Sequence, residues 1–265
     1  MSLTELFHRQ TLCVALAPDQ LTSLIRHGKR VLPGSATRIA LEAADGHWQG
    51  ALAALRSHLG AAPVAMPVSV GLAARWCQFA VLPWSDALLD ADSAERFLAA
   101  QFGAIFGEAA RGWTITCDDA PYGQPRLACA IERELLDTLD SIISERGAHC
   151  VSVEPMLSIA WRAIAASKPQ AFALVEPGRL VLAAVERGRI VALQAQPLRG
   201  AWQAELAQAW QRWILRAPEL ADITQVALVS IDAQVQAAQA PAGFHAASLA
   251  PAPGPAFAAA AMVGG

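Results

Sequence analysis

The residue types that could carry chemistry fall in four places. Asp118 and Asp119 are adjacent carboxylates in Asp118-Asp119-Ala120-Pro121-Tyr122-Gly123 and could hold a metal or polarise a substrate. Between two apolar runs, however, Asp, Pro and Gly are ordinary turn residues, and the turn is the reading we adopt. Gly34-Ser35-Ala36 has a hydroxyl after a glycine but lacks the second glycine of a nucleophile elbow, and no His and acid pair can be assigned to it. Asp19, in Ala15-Leu16-Ala17-Pro18-Asp19-Gln20, and Glu176, in Val175-Glu176-Pro177-Gly178-Arg179, each stand at the end of an apolar run beside a proline. A strand-end carboxylate followed by glycine can handle a metal and phosphate, whereas Pro-Gly is also the signature of a plain type II turn.

Cys13, Cys77, Cys117, Cys129 and Cys150 are odd in number and scattered, and most lie inside apolar runs, so they read as reduced, packed thiols. No Cys-x-x-Cys or His-x-x-x-His spacing occurs. His8, His27, His47, His58, His149 and His245 stand apart from one another, so a metal site has no support. The expected sets of catalytic, cofactor-binding and metal-binding residues are therefore all empty, with no cofactor.

The elements around these residues repeat. Leu12–Ala17 is an apolar run stopped by Pro18-Asp19-Gln20, then Leu21–His27 resumes before Gly28-Lys29-Arg30-Val31. Ala171–Val175 is stopped by Glu176-Pro177-Gly178-Arg179, followed by Leu180–Val185 and Glu186-Arg187-Gly188-Arg189-Ile190-Val191. Both read as strand, tight turn, strand, turn. The first copy continues with a strand at Arg38–Glu42, a helix at His47–Leu59 and a strand at Pro67–Leu72. The second continues through Gln196, a helix at Trp202–Arg216 with Trp202, Leu206, Trp210 and Trp213 on one face, and a strand at Gln225–Ile231. Each copy is β-β-β-α-β.

Between the copies the spacing predicts a helix over Ser93–Phe106, with Asp92 and Glu95 as a capping box, and strands at Trp113–Cys117 and Arg126–Ile131. It then predicts a helix over Glu132–Arg146 burying Leu135, Leu136, Leu139, Ile142 and Ile143, a strand at His149–Val153, and a helix over Met156–Ala166. Val68–Trp84 reads as a strand pair with an exposed edge suited to β-addition of a partner strand.

Two such copies resemble the twin ribonuclease-H-like halves of the actin, Hsp70 and hexokinase superfamily. The segment Arg146 to Ala160, with Gly147, the apolar run His149–Val153 and Glu154-Pro155 ahead of an Ala-containing helix, is similar to the linking strand and helix of that superfamily. Within it, the pattern over residues 11 to 231 most resembles the PilM and GspL-type cytoplasmic assembly proteins of type IV pilus and type II secretion systems, as a degenerate member.

The resemblance implies an α/β fold of two ribonuclease-H-like halves with an inserted α+β subdomain and a truncated second half. The expected domains are 1–167, carrying an insert over about 75–131; 168–233; and an Ala/Pro-rich tail over 234–265. Nucleotide-binding relatives carry Asp-x-Gly at the hairpin tips; here Pro18 and Pro177 remove N–H donors from both. The adenosine loop of such relatives is Gly-Gly, whereas Val229-Ser230-Ile231-Asp232-Ala233-Gln234 contains no glycine.

The implied function is a non-catalytic scaffold that binds inner-membrane pilus or secretion proteins and self-associates, using strand edges or the Trp202/Trp210/Trp213 face, although helical spacing of that face more often means core. The alternative is a divergent ATP-dependent kinase-like enzyme.

Bulk properties agree with a cytoplasmic protein peripheral to the inner membrane. The 265 residues are 54% hydrophobic, enough for a large core, and the net charge of -3 supplies no field toward nucleic acid. Met1 to Gln10 lacks an apolar core of secretory length, and no stretch reaches the ~20 apolar residues of a membrane span. GspL-type chains continue into a membrane helix; the Ala/Pro-rich end here favours the freestanding, PilM-like arrangement.

Overall fold

The structure, a computed structural model, describes residues 10–28, 30–42, 46–61, 66–230, 235 and 239–246. The expected adenosine-loop residues 231–234, and the tail apart from residues 235 and 239–246, lie outside the described residues.

The first half is built on a six-stranded sheet. β1 (Gln10–Leu16) pairs antiparallel with β2 (Gln20–His27), and β2 pairs in turn with β3 (Arg30–Val31) and β4 (Thr37–Ala40). On its other side β1 pairs parallel with β5 (Val68–Leu72), and β5 with β9 (Cys150–Pro155). β1 and β5 are sheet-interior strands covered on both faces, which is why their apolar residues run on without alternation. Helix α1 (Gln49–Ala61) buries Ala51, Leu52, Leu55 and Leu59. It packs beside α3 (Arg133–Ser144), whose Leu135, Leu139, Ile142 and Ile143 recur at one-turn spacing on the buried side.

The second half repeats this order. β10 (Ala171–Glu176), β11 (Arg179–Glu186) and β12 (Arg189–Pro197) form the antiparallel meander, and β13 (Val226–Ser230) pairs parallel with β10. Its strands serve two cores by alternation. Phe172, Leu174, Val181 and Ala183 face the core shared with the first half and with α4 (Met156–Ile164). Ala171, Ala173, Val175, Leu180 and Leu182 face α5 (Trp202–Arg216).

Between β5 and α3 lies a three-stranded antiparallel sheet in the order β6 (Cys77–Leu82), β8 (Arg126–Glu132), β7 (Trp113–Cys117). Helix α2 (Ala91–Phe106) seals its own small core with Leu98 and Phe102.

Four expectations are corrected. The shortened second half does not stop at its fourth strand: residues 244–246, placed by composition in the tail, form β14 (Phe244–Ala246), parallel to β13. β14 is only three residues long, too short to show a period in the sequence. The Trp face of α5 is core, as its helical spacing suggests, and not a docking surface: it packs on the sheet of the second half, with Phe244 against Trp210. Trp210 and Trp213 are each 6% exposed, and the Trp210 and Phe244 rings meet edge to face at 6.4 Å. The segment Val68–Trp84 is not a strand pair; β5 lies inside the first sheet and β6 in the inserted one. Finally, the cap of α2 is Asp90, whose carboxylate accepts from the Ser93 N–H at 2.9 Å, rather than Asp92.

Candidate functional site

The twin hairpins bring their tips together at the junction of the two halves. In the second, Pro177 and Gly178 are the two central residues of the β10–β11 turn, and Gly178 has φ +73°, the value a type II turn needs at its third position. That turn ends β10 on Glu176, which is only 2% exposed. One carboxylate oxygen, Oε2, accepts the backbone N–H of Ala74 at 2.6 Å. Ala74 opens a single 3₁₀ turn, residues 74–76, leading from the first half into the inserted sheet. The acid of one half therefore caps a turn of the other.

The surroundings of Glu176 are unusual for a carboxylate. Burial raises its pKa from the ordinary 4.5 to about 8, the Asp19 charge adds to this, and the Ala74 N–H and the Arg179 guanidinium oppose it. Arg179 is itself shifted down by burial, with Glu176 countering. Near neutral pH, Glu176 is thus mainly a neutral acid. Arg75 completes the cluster. Its guanidinium lies so close to Gly46 and Gly178 that a Cβ on either would collide with it, so one cation spans loops of both halves.

Asp19, Ala74, Arg75, Glu176 and Arg179 therefore lie together at the hairpin tips. Pro18 and Pro177 offer no N–H, and the Ala74 N–H is already taken by Glu176. Three members of this cluster, Ala74, Arg75 and Arg179, were not singled out from sequence. The small pair Ala73-Ala74, both fully buried, was the available signal for a close backbone approach.

The other sequence candidates are structural. Asp118 accepts the Leu127 N–H at 2.9 Å and pairs closely with Arg189 of β12, tying the inserted sheet to the second half. Burial pushes its carboxyl up, opposed by Arg189 and the Leu127 N–H. Asp119 pairs with Arg126 at 3.2 Å. The Ser35 hydroxyl accepts the Ile25 N–H at 3.0 Å and donates to the Leu32 carbonyl at 2.7 Å, tying the β3–β4 connection to β2. All five cysteines are free thiols, with Cys13 and Cys77 buried and their pKa values raised, by burial for Cys13 and for Cys77 chiefly by its hydrogen bond with Cys129 and by burial. Burial lowers the pKa of His58, which shares a hydrogen bond of 2.9 Å with Ser23. Among the described residues, no three metal-ligating side chains converge and no helix is long and apolar enough to cross a membrane.

A second concavity lies where the first half meets the inserted sheet. It is a cavity of about 190 Å³ walled by Trp48, Trp76 and Trp113, with Glu132, His47 and Arg75 on its lining. Trp48 Nε1–H donates to Glu132 Oε2 at 2.8 Å, and Trp76 Nε1–H to the Gly46 carbonyl at 3.0 Å. Two of the three indoles are thereby fixed in orientation.

No family model matches the chain, and no curated protein matches it in sequence. Solved structures do match its fold. The cytoplasmic domain of EpsL, an inner membrane component of the type II secretion system of Vibrio cholerae, superposes with a TM-score of 0.60 at 13% identity, over 94% of this chain and 92% of that one. A chain of the PilM–PilN type IV pilus biogenesis complex gives 0.62 at 10% identity, over 85% and 82%. A Bacteroides thetaiotaomicron protein of actin-like ATPase fold and unknown function gives 0.60 at 11% identity, over 89% and 88%. The fold is actin-like, in the form taken by the EpsL and PilM–PilN structures.

Proposed function

We propose that this protein is a non-catalytic scaffold that holds inner-membrane components of a type II secretion or type IV pilus machine on the cytoplasmic side. The observation that carries the reading is the Glu176–Ala74 hydrogen bond, with Arg75 against Gly178. The Glu176 and Arg75 side chains bridge the two halves directly, so the halves are joined without a ligand. The structural likeness to EpsL and to a chain of the PilM–PilN complex supports the choice of machine. Attachment through membrane partners, and association with further copies of the chain, follow from the same reading.

One observation favours a second reading, a divergent ATP-dependent kinase-like enzyme. A buried acid with a pKa near 8 between two halves is also what general acid–base catalysis uses.

Thermal melting with and without millimolar Mg·ATP separates the two, because a ligand of the native state must raise the melting temperature by linkage. No shift is expected. A clear rise that Glu176→Ala abolishes would overturn the scaffold reading. The positive test is co-purification with the membrane proteins encoded beside it, and recovery of no inner-membrane component would count against it.

A further inference from the structure

A larger cavity, of about 580 Å³, lies where the end of α4 meets the β11–β12 turn, and it shares no lining residue with the Glu176 cluster or the Trp48 cavity. Trp161, Pro169 and Val185 give it apolar walls, and Lys168, Glu186 and Arg187 give it charge. A volume of this order suits a small molecule. The walls are set by the fold. The Trp161 ring stacks on Phe172, with centroids 5.7 Å apart and 18° between the planes, and the Val185 N–H donates to the Gln170 carbonyl at 2.7 Å.

The backbone around this cavity is unusual in a specific way. Among the described residues, Lys168 and Arg187 are the two that are not glycine and have a positive φ, +51° in each. Lys168 ends the 3₁₀ turn 165–167 in the left-handed conformation, where Gly or Asn is the usual choice. Arg187 and Gly188 are the two central residues of the β11–β12 turn, where Asn-Gly is the usual pair. Each position therefore carries a long cation at a conformational cost, and both cations line the same cavity. Backbone strain of this kind persists where a site makes use of it.

The charges do not cancel. Glu186 and Arg187 pair at 3.5 Å, but they are 65% and 83% exposed, so water screens the attraction. Among the described residues, Lys168 makes no ion pair. Two cations against one carboxylate leave a single positive charge to be met.

We infer that this cavity binds a small monocarboxylate with a flat apolar body. The body lies against Trp161, Pro169 and Val185, and the carboxylate sits between Lys168 and Arg187. A carboxylate matches the guanidinium fork and accepts from the ammonium, and one negative charge balances the lining. The site gives the second half a ligand-binding function that goes beyond the scaffold reading and does not rest on it.

The test is titration of the full chain with indole-3-acetate and, at matched ionic strength, with its neutral isostere indole-3-acetamide. Binding is followed by the Trp161 indole N–H resonance in heteronuclear NMR, assigned with Trp161→Phe. A saturable shift is expected with the acetate, and binding at least tenfold weaker with the amide. Lys168→Gly and Arg187→Asn install the residues that the backbone favours. Each should melt at a higher temperature than the wild type yet bind the acetate about fivefold more weakly, the loss of one exposed charge contact. Equal binding of the amide, unchanged affinity in both variants, or no saturation at tens of millimolar would each overturn the site. So would lower melting temperatures in both variants, because Lys168 and Arg187 would then serve the turns themselves. Failure of any of these leaves the scaffold reading standing, since that reading is tested by recovery of membrane partners.

Discussion

Glu176 and Ala74 are 102 residues apart in the chain, yet the carboxylate of the first accepts the backbone N–H of the second at 2.6 Å, with the carboxylate wholly inside the protein. This contact joins the tip of one ribonuclease-H-like half to the exit of the other, and Glu176 contributes a pH dependence to the stability of the fold.

With a folded pKa of about 8 against an ordinary 4.5, Glu176 keeps its proton in the native state over a range where the unfolded chain has released it. Between those values the unfolded state binds fewer protons, so stability falls as pH rises, and the loss is complete above about 8. Glu176→Gln keeps an acceptor for Ala74 and has no proton to lose. Urea denaturation at pH 5, 7 and 9 should show the variant gaining on the wild type as pH rises, by on the order of 3 kcal/mol across the range.

Gly178 combines a positive φ with a close neighbour, since a Cβ there would stand 2.5 Å from Nη1 of Arg75. Gly178→Ala should cost about 1–2 kcal/mol, mostly from the left-handed backbone, because the exposed Arg75 side chain can move aside. Adding Arg75→Ala should recover only the smaller, steric share of that loss, read as the difference in denaturation midpoint.

The Asp118–Arg189 pair connects the inserted sheet to the second half across 71 residues. Both side chains are about a third exposed, so solvent screens the attraction. A double-mutant cycle with Asp118→Asn and Arg189→Gln should give a coupling of about 0.5–1 kcal/mol that shrinks in 0.5 M salt. A coupling independent of salt would mean that packing, not charge, holds the insert there.

Phe244 is 8% exposed against Trp210 in the second core. Phe244→Ala should destabilise the protein by about 3 kcal/mol and speed hydrogen exchange in β13 and α5. A neutral result would mean that β14 does not complete the sheet.

The sequence was legible wherever the signal was local. Apolar runs broken by Pro18 and by Pro177-Gly178 placed both hairpins, and the one-turn spacing of Leu135, Leu139, Ile142 and Ile143 placed α3, because strand and helix periods are properties of consecutive residues. The actin-like order of strands followed from the repetition of that pattern. The cap of α2 was missed by two residues, since Asp90 and Asp92 both suit the role and only the backbone path selects between them.

What tertiary structure alone decided were meetings between distant segments. Glu176 looked like a turn residue until the second half laid it on Ala74, and the Trp face of α5, whose spacing suits either core or a docking surface, was assigned to the core only by the packing around Trp210 and Trp213. Trp48, Trp76, Trp113 and Glu132 sit on four separate segments and share no period, so nothing in their order along the chain announces the cavity they form. Local propensity acts through neighbours in sequence, whereas burial, desolvation and the charge state of Glu176 depend on which remote groups exclude the water.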